Sequence, residues 1–175
     1  MNIIKKVLKK LIINQIVKIE VRFYNFKGEP ENGYIEVNKS IKNETKSVFD
    51  KLYQKRFLIN NVTVSNKRSD KEIILENDST SFNFRTVLGK NRLSKHSFGY
   101  AIDINPKNNP AKPSEMFDIY DTTIREGVIE ENTIDIFKEN GFRWGGEIFK
   151  DFWDSHHFEM EMNLYNKIIK YIWEF

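Results

Sequence analysis

The chain has no cysteine. That removes disulfides and thiolate metal ligands together, so any metal must be held by nitrogen and oxygen. Histidine is nearly as scarce, with three in 175 residues. No repeat, low-complexity tract or linker interrupts the sequence. No apolar run is long enough to span a membrane. Lysines break up the apolar residues near the N-terminus, and no small-residue cleavage site follows them, so no signal peptide is recognised. The net charge of +3 is mild and gives no sign of nucleic-acid binding.

What is present points to an ordered chain. Aromatic residues make up 14% of it, which excludes disorder as a whole-chain property. The length suits one hydrophobic core. We expect residues 1–14 to form an amphipathic basic helix or extension, and 15–175 a single domain. In the helix, Ile3, Ile4, Val7, Leu8, Leu11 and Ile12 share one face, with Lys5, Lys6, Lys9 and Lys10 opposite. That face is expected to pack on the domain or on a partner; a membrane surface is the other reading.

From Gln15 to Asn25 the chain alternates, with Val17, Ile19, Val21 and Phe23 on one side, as in a half-buried strand. Tyr34 to Val37 is expected to pair with it as a hairpin. Lys27 to Pro30 and Asn32-Gly33 are read as turns. Helices are expected over Asn43–Lys55, Thr133–Asn140 and Asn163–Trp173. In the last of these Leu164, Tyr165, Ile168, Ile169 and Ile172 are available for packing. Phe57–Val64 reads as extended, Glu72–Leu75 as a short strand, and Phe142–Gly146 as a tight turn. The mixture predicts an α+β fold with a central antiparallel sheet flanked by helices.

Two stretches carry chemistry. The first is Ser94-Lys95-His96-Ser97-Phe98-Gly99-Tyr100-Ala101-Ile102-Asp103. Alternation puts Asp103 on a strand beside isoleucines, where a carboxylate is costly unless paired. The second is Trp153-Asp154-Ser155-His156-His157-Phe158-Glu159. There His157 and Glu159 share a face. Two histidines and an aspartate, with a fourth position left to water, form the pattern of a catalytic zinc site. His156 and His157 compete for the third place.

Together these stretches resemble the zinc peptidases that cleave peptidoglycan stem peptides: VanX/VanY-type D-alanyl-D-alanine carboxypeptidases and dipeptidases, and L-alanyl-D-glutamate endopeptidases of phage lysins. The resemblance runs from about Phe82 to Glu159. It implies one Zn2+ on His96, Asp103 and His157 in the sheet, and leaves His156 as a packing or surface residue. It implies Asp154 as general base and Arg85 as a contact for substrate and oxyanion. Ser94 and Glu159 become supporting groups, with Glu159 able to orient His96 and Ser94 able to touch substrate or Asp103. Trp144 would form a cleft wall. The implied activity is zinc-dependent hydrolysis of stem peptides at the bacterial cell wall, by a monomer. Asp at 154 tilts towards an endopeptidase, while the Phe-Asn-Phe-Arg segment tilts towards a VanY-like carboxypeptidase. The alternative is a zinc-containing domain of the same fold that binds without catalysis.

Overall fold

In the computed structural model the described residues are 3–65, 67–87, 89–113 and 117–175. The chain opens with α1 (Ile3–Ile13), followed by a hairpin of β1 (Ile16–Tyr24) and β2 (Pro30–Asn38). Then come α2 (Lys42–Gln54), β3 (Asn61–Val62), α3 (Asp70–Glu76) and β4 (Asp78–Ser79). The two chemical stretches supply β5 (Ala101–Asp103), β8 (Trp153–Asp154) and β9 (His157–Glu159). Between them lie β6 (Ala111–Lys112), α4 (Glu131–Glu139), β7 (Arg143–Trp144) and α5 (Gly145–Ile148). The chain closes with α6 (Leu164–Glu174).

The fold is α+β. Among the described residues the strands form four small sheets rather than one central sheet: β1–β2, a parallel pair β3–β4, a three-stranded antiparallel sheet β5–β9–β7, and β6–β8. One apolar core joins them. Val21 and Phe23 from β1 meet Val48, Phe49 and Leu52 of α2, and the same cluster holds Phe137, Ile102 and Phe158. Phe137 stacks on Phe158 with ring centroids 3.7 Å apart, which fixes the middle of β9 against α4.

Three local expectations are corrected. Asn32-Gly33 is not a turn but part of β2, where Gly33 pairs with Val21. A Cβ there would come within 2.5 Å of the Val62 carbonyl, so the glycine admits the neighbouring backbone. Residues 72–75 lie in α3, not in a strand. Ser69 caps that helix by accepting from the Glu72 N–H, while the Glu72 carboxylate accepts from the Ser69 N–H. Gly145 and Gly146 begin α5 instead of closing a turn.

Candidate metal centre

Backbone pairing brings the site residues together. In β5 and β9, Asp103 lies directly opposite His157, so the two side chains project from one face of the sheet. The other edge of β5 is also held. The Asp103 N–H donates to the Thr80 carbonyl at 2.9 Å and the Thr80 N–H to the Asp103 carbonyl at 3.1 Å. His96 arrives on a 3-10 turn over Lys95–Phe98. Ser94 caps that turn, its hydroxyl accepting from the His96 N–H. Gly99 ends the turn at φ 67°, in the left-handed region. A Cβ on Gly99 would also approach the Asn38 nitrogen to 2.5 Å, so the turn sits hard against the end of β2.

The three side chains converge. His96 Nε2 lies 3.2 Å from Asp103 Oδ2 and 3.2 Å from His157 Nδ1, and His157 Nδ1 lies 3.1 Å from Asp103 Oδ1. The far nitrogen of each imidazole is already engaged. His96 Nδ1 is 2.7 Å from the Ser81 carbonyl, and His157 Nε2 is 3.3 Å from Glu159 Oε2. Carbonyls and carboxylates only accept, so those nitrogens carry the protons. In the neutral rings, His96 Nε2 and His157 Nδ1 then present lone pairs to each other and to a carboxylate. Three acceptors with no donor among them need a cation. One atom from each residue falls within 4.8 Å of the others, and the group has the donor set to hold a metal ion.

The electrostatics agree. Burial disfavours a charged His157, but hydrogen bonds to Asp103 and Glu159 and the charges of Asp103 and Asp154 outweigh it, carrying the imidazole up to about 10. Burial likewise opposes ionisation of Asp103, yet the two histidines hold its carboxyl well below the usual range. Glu159 is lowered to about 2: burial works against its charge, and His157 and Lys95 override it. Lys95 Nζ stands 2.9 Å from Glu159 Oε1, and Arg143 reaches the same oxygen at 2.7 Å. Glu159 therefore orients His157, not His96, whose partner is the Ser81 carbonyl.

Asp154 and His157 flank Gly145. A Cβ on Gly145 would strike the Asp154 carbonyl oxygen and stand 3.0 Å from the Cβ atoms of both Asp154 and His157. Only glycine lets α5 begin so close to both. Asp154 Oδ1 is buried and makes no aligned hydrogen bond, though His156 Nε2 is 3.1 Å away. His156 is buried, and its Nδ1 lies 2.6 Å from the Asn109 carbonyl, to which it donates. The packing role expected of His156 agrees with this burial, and the structure also sets its ring beside the Asp154 carboxylate. Its adjacency to Asp154 in the chain was the available signal.

Arg85 does not join this cluster. Its Nε stands 2.8 Å from Asp70 Oδ1 as an ion pair without hydrogen-bond alignment. Trp144 donates its indole N–H to the Ser155 carbonyl at 2.9 Å and meets Trp153 edge-on at 5.0 Å. With Trp153, Ser155, Ile129 and Pro110 it lines a cavity of about 650 Å3.

An imidazole–carboxylate–imidazole group with a half-buried acid, Asp154, three residues before one of its histidines has the donor chemistry to hold a metal ion. The family profile described as D-alanyl-D-alanine carboxypeptidase matches residues 88–160, the span that holds both chemical stretches. Over that span the chain is similar to peptidases of this family. No curated protein and no solved structure matches the chain.

Proposed function

We propose that the protein is a zinc-dependent peptidase of peptidoglycan stem peptides, with His96, Asp103 and His157 holding one Zn2+. The observation that carries the reading is the meeting of three acceptors whose remaining polar atoms are tied up, inside the span that matches the carboxypeptidase family. Zinc suits a set of two imidazoles and one carboxylate. When bound, such an ion supplies Lewis acidity towards a carbonyl and makes a water more acidic.

The chain's own residues do the rest. Ser81 and Glu159 hold the two imidazoles in the tautomers that point their lone pairs inward. Lys95 and Arg143 keep Glu159 ionised in that task. Asp154, short of hydrogen bonds at Oδ1, takes a proton from the attacking water and returns it to the departing amine nitrogen. Arg85 acts as a contact for a substrate carboxylate, which would replace Asp70 as its partner.

The test is digestion of defined muropeptides with the zinc-loaded protein, products read by mass spectrometry. Release of D-alanine marks a carboxypeptidase; cleavage within the stem marks an endopeptidase. Asp154→Ala should abolish either while retaining zinc. Stoichiometric zinc with no cleavage of any stem peptide would leave a binding domain instead.

A further inference from the structure

The expected packing of the two terminal helices is only half realised. In α1, Leu8 and Ile12 are buried, but Ile3 is 80% exposed, Ile4 59% and Val7 52%. In α6, Ile169 and Trp173 are buried, while Leu164 is 73% exposed and Ile168 and Ile172 also face water. In each helix more of the large apolar side chains face water than are buried. Most of the exposed large apolar side chains among the described residues lie on these two helices. Scattered apolar residues need no explanation, but such a concentration does.

The helices pack on each other and run antiparallel. Gln15, just beyond α1, exchanges hydrogen bonds with Asn166 near the start of α6. At the other end Lys5 of α1 lies over the ring of Trp173 near the end of α6. Their charge is as uneven as their burial. α1 has Lys5, Lys6, Lys9 and Lys10 and no acid, and α6 has Lys167 and Lys170 against Glu174. The pair carries a net +5 in a chain of net +3, so the remainder is net −2. Lysines flanking exposed isoleucine and leucine are the make-up of a helix that lies in a membrane interface. Neither helix can cross one: among the described residues no helix is long and apolar enough.

We propose that the α1–α6 pair docks the protein on an anionic lipid bilayer, with the uncovered apolar strips entering the headgroup boundary and Lys6 and Lys10 meeting lipid phosphates. The proposal is independent of the metal centre. A second copy of the chain would cover the apolar strips, but it would also bring two sets of lysines together, which like-charge repulsion opposes.

Co-sedimentation of the full chain with mixed phosphatidylglycerol–phosphatidylcholine vesicles tests this. The protein should pellet with them, release in high salt, and stay in solution with pure phosphatidylcholine. Lys6→Gln with Lys10→Gln should weaken binding by roughly 30-fold, about fivefold for each lysine. Leu164→Ser with Ile168→Ser, at exposed positions, should reduce binding below detection while circular dichroism and melting match the parent. The proposal is overturned if the parent ignores anionic vesicles or binds both vesicle types alike. It is also overturned if the serine variant still pellets, or if the parent is a dimer in solution that the serine substitutions dissociate.

Discussion

Removing the Asp103 charge tests the metal centre most directly. Without a cation, three acceptors meet at 3.1–3.2 Å, and only a proton can relieve them. A bound metal replaces that proton and selects the folded state, because an unfolded chain holds Asp103 and His157 apart. At free zinc a thousandfold above the dissociation constant the gain is about 4 kcal/mol. For a chain of this size that raises the melting temperature by roughly 8–16 °C. Asp103→Asn keeps the shape but exchanges an anionic donor for an amide, and most of the shift should disappear. Differential scanning fluorimetry of both proteins, chelated and then titrated with zinc, gives the answer. The sign with pH follows from His157. Its folded pKa, up to about 10, means a proton competes with the metal through the neutral range, so the zinc-induced shift should grow as pH rises from about 6 to about 8. An equal zinc shift in Asp103→Asn would refute the reasoning, since the metal would then be binding elsewhere. So would the absence of any shift in the parent.

Further outcomes follow from the same geometry. His156→Gln removes the imidazole that stands 3.1 Å from Asp154 Oδ1 and should lower kcat about tenfold or more with KM and zinc content unchanged, which steady-state kinetics and metal analysis would check. Gly145→Ala forces a methyl against the Asp154 backbone and should cost about 1–3 kcal/mol in urea unfolding, where a change within noise would contradict the close approach. Phe137→Ala removes a fully buried ring stacked on Phe158 and should cost roughly 3–5 kcal/mol by the same assay. Ser69→Ala removes the main cause of the lowered Glu72 pKa, so an NMR titration should show that carboxyl moving up. Because the folded pKa is the lower one, the capping contribution exists above the unfolded value and fades as pH falls through the folded one.

How much of this was readable in the residues depends on what kind of contact is involved. The β1–β2 hairpin was legible because alternation over nine residues admits one register with the apolar side inward. α3 was not, because Ile73-Ile74-Leu75 suits a strand as well as a helix, and only the Ser69–Glu72 capping pair decides between them. The single sheet expected from scattered short strands is divided, since runs of two or three residues carry no information about their neighbours. Gly33 looked like a turn because the Val62 backbone that needs its missing side chain is distant in the chain.

The site divides in the same way. His96 and Asp103 stood out because histidine is rare here and a carboxylate between isoleucines requires a partner; between His156 and His157 only the family resemblance chose. The atoms that aim them were hidden: the carbonyls of Ser81 for His96 and of Asn109 for His156 belong to the backbone, and any residue there could supply them. The role of Lys95 was hidden too, because its partner Glu159 lies 64 positions away. The sequence thus declares which side chains can bind, while the tautomers that let them bind are set by backbone oxygens and by one carboxylate held between two cations. A variant that keeps all three donors but moves the Thr80–Asp103 bridge or the Ser81 carbonyl should therefore lose metal as surely as one that deletes a donor.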